Sequence, residues 1–154
     1  MNELEKESCL HQLESATTAD TEFIDITDRV QDCVVASGIS SGLANVQSLH
    51  TTTAVVVNED EPLLLADFRT ILEDAAPSDR SYTHDDVRLR RSKPPTDERA
   101  NGHAHCRALL LGSSVCLNVS NGQLVLGRWQ RVFFVELDGP RNRVVSVVAL
   151  GVGL

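Results

Sequence analysis

Hydrophobic and polar residues alternate along this chain in short segments, and their spacing predicts both strands and helices. Phe23–Ile26 alternates apolar and polar side chains, as a half-buried strand does. The next segment predicts a helix capped by Thr27 or Asp28, because both residue types accept hydrogen bonds from free backbone amides. Ser37 and Gly38 are expected to end this helix.

A long β segment is predicted from Leu43 to Asn58, interrupted by the polar run His50–Thr53. Hydroxyl and imidazole groups inside a strand cost free energy unless they are hydrogen-bonded, so this interruption marks a candidate site. A turn follows, and a second helix is predicted over Leu63–Asp74. Its apolar face is expected to be formed by Leu64, Phe68, Ile71 and Leu72.

The third predicted helix lies within Ala100–Ser114, where a turn signal is followed by a run of good helix formers. Gly112 stands where a helix end favours a positive φ angle. Residues two apart lie about 200° from each other around a helix axis, so His103 and His105 cannot both face one point. Leu109, four residues further on, favours His105 as the inward histidine.

The remaining segments predict an arm, a loop and a C-terminal sheet. Residues 1–22 are polar and acidic, which predicts a flexible N-terminal arm or a frayed helix. Residues 75–100 predict a long loop, of which 85–100, and Arg88–Arg99 above all, is expected to be a mobile insertion. Asn121-Gly122 is a strong hairpin signal, so the C-terminal strands are expected to form an antiparallel meander.

Length and charge narrow the range of functions. The 154 residues suit one ordinary domain, and with only 4% aromatic residues its core must consist of Val, Leu, Ile and Ala. The 22 acidic residues outnumber the 14 basic ones and give a net charge of −8. This balance argues against a nucleic-acid partner, because phosphate backbones are bound by basic surfaces.

The cysteine pattern predicts a cytoplasmic protein. Cys9, Cys33, Cys106 and Cys116 have neither CxxC nor zinc-ribbon spacing. The chain opens without a secretory signal and holds no apolar run of membrane-spanning length. We therefore expect reduced, mostly buried thiols and no membrane partner.

Four of the five histidines stand at turns or at polar breaks in apolar runs, namely His50, His84, His103 and His105. Three neutral imidazoles suit zinc or another late transition metal. Spacing alone favours the alternative that His50 and His105 are core histidines bonded to neighbouring hydroxyls. An anion site near Gly112–Ser114, or near Arg128 and Arg131, also stays open, although glycines of this kind more often form turns.

Five short motifs follow one another in a recognisable order. They are His50-Thr51-Thr52 with Asn58-Glu59, Tyr82-x-His84, Asn101-x-His103-Ala104-His105, Leu111-Gly112-Ser113-Ser114, and Gly122-x-Leu124-x-x-Gly127-x-Trp129-Gln130. Their order and spacing resemble the YjbQ-like family, whose members are also called secondary thiamine-phosphate synthases. The resemblance runs from about Phe23 to Gly151.

The resemblance implies a YjbQ-like α+β domain over residues 23–154, with antiparallel strands and a few short helices, assembled as a homotrimer. It also implies a metal-assisted transferase, which joins hydroxymethylpyrimidine diphosphate to thiazole phosphate and releases pyrophosphate. The alternative is a metal-binding trimer with another primary role, which binds a small anionic ligand.

The resemblance further implies a set of site residues. His50, His84 and His105 are the expected metal ligands, with His103 as a reserve ligand. Zinc is the expected metal, with magnesium as an alternative for a diphosphate substrate. The groups expected to orient substrate or bind phosphate are Thr51, Thr52, Asn58, Ser114 and Gln130.

Two positions and one insertion depart from the family pattern. Thr53 replaces the usual alanine, and Arg131 replaces the usual glycine after Trp129-Gln130. Arg131 is expected either to add a cation to the site or to block a neighbouring chain. The Arg88–Arg99 insertion beside His84 is expected to be either a lid over the site or a surface segment with no role in it.

Overall fold

Two antiparallel sheets and three α-helices make up the computed structural model, which describes residues 6–92 and 99–153. The strands are β1 (Lys6–Ala16), β2 (Glu22–Asp25), β3 (Ile39–Ser48), β4 (Thr53–Glu59), β5 (Ser114–Ser120), β6 (Gln123–Leu124), β7 (Gln130–Glu136) and β8 (Asn142–Gly153). The helices are α1 (Thr27–Ala36), α2 (Pro62–Ala75) and α3 (Gly102–Leu111), and Thr83–Asp85 forms a 3₁₀ turn. The α+β prediction is confirmed.

The sheets and helices pack in layers around strand β7. The five-stranded sheet has the order β1-β8-β3-β5-β6, and the three-stranded sheet has the order β2-β7-β4. Val132 and Phe134 of β7 face the core between the two sheets, whereas Phe133 and Val135 face α2 and α3. A strand that is buried on both faces has a continuous run of apolar residues, and these four residues give β7 such a run.

The long β segment predicted around His50 is in fact two strands in two different sheets. β3 pairs with β5 and β8, whereas β4 pairs with β7. The polar run His50–Thr53 supplies most of the turn that carries the chain from one sheet to the other. His50, Thr51 and Thr52 lie in the turn, whereas Thr53 begins β4 and is buried with its hydroxyl hydrogen-bonded to that of Ser48. A buried hydroxyl is tolerated when it has such a partner.

The three predicted helices are present, with corrections to their details. Neither Thr27 nor Asp28 caps α1; Thr27 instead donates from its amide and hydroxyl to Asp25. Ile71 of α2 is 61% exposed, so it does not belong to the apolar face. Leu109 of α3 is 84% exposed, because Ala104 and Arg107 occupy the buried side of that helix.

The C-terminal strands do not form the predicted meander. Asn121 and Gly122 both have positive φ and make the expected hairpin between β5 and β6. The chain then crosses to the other sheet as β7 and returns as β8, between β1 and β3. Local turn signals cannot indicate such a crossing, because it depends on which face of each strand is buried.

The flexible arm predicted for residues 1–22 is corrected over most of its length. Lys6–Ala16 forms the edge strand β1, which pairs with β8 along its whole length. Leu13 packs against the main core, which gives this largely polar segment its anchor. Of the predicted insertion, residues 93–98 lie outside the described residues.

The structure also bears on the predicted burial of the cysteines and on the presence of a membrane-spanning helix. All four cysteines are free, but only Cys33 is buried, so the prediction of mostly buried thiols is wrong. Within the described residues, no helix is long and apolar enough to cross a membrane.

Candidate anion-binding cleft

A cleft of about 330 Å³ opens where the β3–β4 turn, the N-terminal part of α3 and the start of β8 meet. It is lined by Leu49, His50, Thr51, Thr52, Arg90, Asn101, His105, Arg141 and Arg143. These lining residues include three arginines and two histidines but no carboxylate. A larger, more open groove continues from it, shares His50 and His105, and includes Leu109, Gly112 and Ser113.

His50 is fixed by a backbone hydrogen bond from the neighbouring strand. The amide of Val144 donates to His50 Nε2 at 2.8 Å, so the proton of the neutral imidazole lies on Nδ1. Leu49 N donates to the carbonyl of Val144 at 3.3 Å and ties the same turn to β8. Burial, and then the nearby Arg143 guanidinium, lower the pKa of His50 below its ordinary value, so the ring is neutral at pH 7.

Arg143 reaches the cleft from a buried ion pair. Its Nε and NH2 groups donate to the two oxygens of Glu136 at 2.7 and 2.6 Å, and its NH2 also donates to Thr52 Oγ1 at 3.1 Å. Glu136 accepts further bonds from Thr17 Oγ1 and from the amides of residues 137 and 138. The guanidinium plane is therefore held in one orientation.

Asp138 and Asn101 form the wall behind the arginines. Arg141 NH2 lies 3.1 Å from Asp138 Oδ2, and Asn101 Nδ2 donates to the same oxygen at 3.0 Å. Asp85 Oδ1 accepts bonds from the amides of Asn101 and Gly102, so it holds the first turn of α3 in place. Within the described part of the chain, Asn101 Oδ1 is buried and accepts no hydrogen bond.

The structure separates the histidines into two groups. His50 and His105 share the cleft, and the ring of His84 lies against that of His105 with the centroids 4.6 Å apart. His103 lines a separate cavity of about 400 Å³ beside Arg107, where burial and then Arg107 lower its pKa. The prediction that His103 and His105 face different points is confirmed, and the reserve ligand is not in the cleft.

The three histidines expected to bind metal lie near one another but do not form a ready-made metal centre among the described residues. No three histidine, cysteine or carboxylate side chains in residues 6–92 and 99–153 are grouped so that they could hold a metal ion. His50 Nε2 is already engaged by the amide of Val144. His50 Nδ1 is not engaged by that bond, and His84 Nε2 is buried without a hydrogen-bond partner among the described residues. The zinc or magnesium implied by the resemblance therefore stays a prediction.

The expected phosphate-binding residues are also divided. Thr51 and Thr52 line the cleft. Asn58 lines a small apolar cavity beside α2, and Gln130 accepts a bond from Gly127 N at 2.7 Å. Ser114 is exposed at the start of β5.

Sequence reasoning missed the arginines of the cleft. Arg131, which it did consider, forms ion pairs with Asp25 and Asp28 instead. A usable signal was present in β8, where Arg143 continues the inward alternation of Val145 and Val147. An arginine at a buried strand position needs a carboxylate partner, and it therefore indicates a site or a buried ion pair.

A family model described as UPF0047 protein YjbQ-like matches residues 11–152. The chain belongs to this family. A UPF0047 protein of Methanothermobacter thermautotrophicus is 41% identical over 140 residues, which are 91% of this chain and 90% of that protein. A UPF0047 protein of Archaeoglobus fulgidus is 42% identical, over 90% of this chain and 99% of that protein.

A solved structure shares the fold of this family member. It is a YbjQ-like protein of unknown function from Sulfolobus solfataricus, 36% identical, with a TM-score of 0.85 and coverage of 96% of this chain and 99% of that one. The expected role in thiamine biosynthesis is corrected here. These relatives are named without any function, so family membership does not carry that role to this chain.

Proposed function

We propose that the cleft binds a small oxyanionic molecule, most simply one that bears a phosphate group. The observation that carries the proposal is its lining of three arginines and two histidines without a carboxylate, in a chain of net charge −8. Arg143 and Arg141 are paired with Glu136 and Asp138 behind the lining, so the cleft offers guanidinium N–H donors rather than a large net positive charge. Such donors favour an anionic ligand at that place.

The chemistry of the lining residues supports a phosphate group in particular. Guanidinium groups offer paired N–H donors whose spacing matches two oxygens of a phosphate. Thr52 Oγ1 accepts a bond from Arg143, which leaves its own hydroxyl proton available for another acceptor. Because His50 is neutral, its imidazole adds no positive charge to that of the arginines.

The transferase reaction implied by the family resemblance stays an untested prediction. A phosphate-binding cleft is needed by such an enzyme, and equally by a protein that only binds its ligand. Conversion of a phosphorylated substrate by the purified protein would distinguish the two. A cytoplasmic location also belongs to this proposal, since free cysteines are typical of reducing compartments.

The proposal includes a homotrimer, supported by uncovered apolar side chains. Leu10, Leu43 and Leu150 are exposed on the outer face of the five-stranded sheet, on strands β1, β3 and β8. Leu49 and Leu109 are exposed beside the cleft. Exposed apolar patches of this kind are typical of interaction surfaces.

The anion proposal is tested by calorimetric titration of the purified protein with inorganic phosphate. We expect Arg141→Gln to weaken binding about tenfold or more, since a hydrogen bond to a charged group contributes about 1.5–3 kcal/mol. The matched control is Arg128→Gln, at an arginine that stacks on Trp129 outside the cleft. Absence of phosphate binding, or equal weakening by both variants, would overturn the proposal.

A further inference from the structure

Cys9 and His11 form a thiol–imidazole pair on strand β1, outside the anion-binding cleft. The Sγ atom of Cys9 lies 3.0 Å from Nε2 of His11. The two residues are two positions apart on one strand, so their side chains share one face of the five-stranded sheet. A nucleophile within hydrogen-bond reach of a base is the arrangement that activates a side chain for covalent chemistry.

The pair is accessible from the edge of the sheet. Strand β1 pairs with β8 on one side, and within residues 6–92 and 99–153 no further strand pairs with its other side. Cys9 and His11 are both partly exposed. A small molecule can therefore reach the Cys9 sulfur without any opening of the core.

Each of the other three cysteines lacks one of these two features. Cys33 is buried, and this burial raises the pKa of its thiol, which therefore stays protonated and unreactive. Cys106 and Cys116 are exposed, but neither has an imidazole within hydrogen-bond reach among the described residues. Cys9 thus combines solvent access with an adjacent base.

We propose that Cys9 is a thiol-exchange site, at which a small-molecule disulfide transfers one of its halves to the protein. His11 Nε2 takes the proton from Sγ, and the resulting thiolate attacks one sulfur of the disulfide. The old S–S bond breaks as the new one forms, and the other half leaves as a thiolate that takes up the proton released by His11. The products are a mixed disulfide on Cys9 and one small thiol, and an excess of that thiol reverses the step.

Hydroxyethyl disulfide is a suitable probe, because it is uncharged and the net charge of −8 does not affect its approach. The purified protein is incubated with it at pH 7, and peptide mass spectrometry follows the modified fraction of each cysteine. An ordinary thiol is only a few per cent thiolate at this pH. We expect Cys9 to react about tenfold faster than Cys106 and Cys116, although both of these are more exposed.

The variant His11→Asn removes the base. We expect the rate at Cys9 to fall about tenfold, to the rate of Cys106 in the same molecule. A role of His11 in holding the strand would act in the opposite direction, because a loosened β1 would expose Cys9 and raise its rate. Gln12→Asn is the control, since Gln12 is exposed on the opposite face of β1, and its Cys9 should react as in the wild type.

Two results would overturn the inference. One is a wild-type Cys9 that reacts no faster than Cys106, which would show that exposure alone determines the rates. The other is a rate at Cys9 that is unchanged or raised in His11→Asn. The anion proposal is independent of both results, because neither Cys9 nor His11 lines the cleft.

Discussion

Glu136 and Arg143 form a largely buried ion pair, with side-chain exposures of 0% and 4%. Burial raises the pKa of Glu136, but the hydrogen bonds from Arg143, the Asp138 amide and Thr17 outweigh it, and the net pKa is lowered. The carboxylate is thus stabilised by its partners. Glu136 in turn holds Arg143 at the cleft, so both the stability of the fold and the geometry of the site depend on this one buried carboxylate.

The variant Glu136→Gln tests this dependence. It leaves the Arg143 guanidinium buried without its counter-charge, so we expect the free energy of unfolding to fall by about 3–5 kcal/mol. Urea denaturation followed by circular dichroism gives the value. Asp67→Asn, at an exposed position of α2, is the control and is expected to change stability by less than about 0.5 kcal/mol. A loss below about 1 kcal/mol in Glu136→Gln would contradict the argument.

The lowered pKa of Glu136 also gives the sign of a pH dependence. Because the folded-state pKa lies below the ordinary 4.5, the stabilisation is complete above pH 4.5 and is lost as the pH falls through the folded value. Wild-type protein should therefore lose more stability than Glu136→Gln when the pH is lowered below 4.5. Parallel declines of the two proteins would show that other groups cause the acid sensitivity.

Individual residues of the site were predictable only where local sequence determines them. The polar run at His50 and the opposed directions of His103 and His105 follow from patterns within a few residues. The hydrogen bond from Val144 to His50 joins residues 94 positions apart, and no local pattern indicates that it engages Nε2 of this ring. The Arg143 and Glu136 residues are only seven positions apart, but their pairing depends on where β7 ends and β8 begins, in two different sheets.

At the scale of elements, edge strand β1 shows that a largely polar segment can still form a strand. Cys9, His11 and Leu13 alternate with exposed residues, yet Leu13 alone among them is a large apolar side chain that packs on the main core. The helices and most strands were predictable because each has its own periodicity. The assignment of β3 and β4 to separate sheets was not, since it follows from the packing of both sheets together.

The variant Leu13→Ala tests whether β1 is held by this one contact. We expect it to lower the free energy of unfolding by about 2 kcal/mol, at the low end for buried leucines because Leu13 is only partly buried. Leu89→Ala, at a position that is 69% exposed, serves as the control and should be nearly neutral. Thermal unfolding of both variants measures the difference. Equal melting temperatures would show that backbone pairing with β8 alone retains the strand.

At the scale of the whole molecule, the two faces of the five-stranded sheet differ. Its inner face packs on the three-stranded sheet through residues such as Val46 and Val147. Its outer face leaves Leu43 and Leu150 directly opposite each other and partly exposed on neighbouring strands. Exposed apolar side chains grouped on the open face favour a partner there.

The proposed homotrimer is tested by Leu43→Glu, which places a charge at this face. We expect sedimentation velocity to show a trimer for the wild-type protein and smaller species for the variant, because burying an unpaired carboxylate is unfavourable. Leu63→Glu, on helix α2, is the control and should sediment as the wild type does. A monomeric wild-type protein would contradict the proposal, and an unaffected Leu43→Glu trimer would place the interface elsewhere.

The bond from the Val144 amide to His50 Nε2 has a consequence for observing the cleft. One lone pair cannot hold both a proton and a backbone amide, so the imidazole and strand β8 compete for the same position. Burial and Arg143 favour the amide by lowering the pKa of His50. The nuclear magnetic resonance signal of the Val144 N–H therefore reports whether His50 Nε2 is protonated, without any probe attached to the protein.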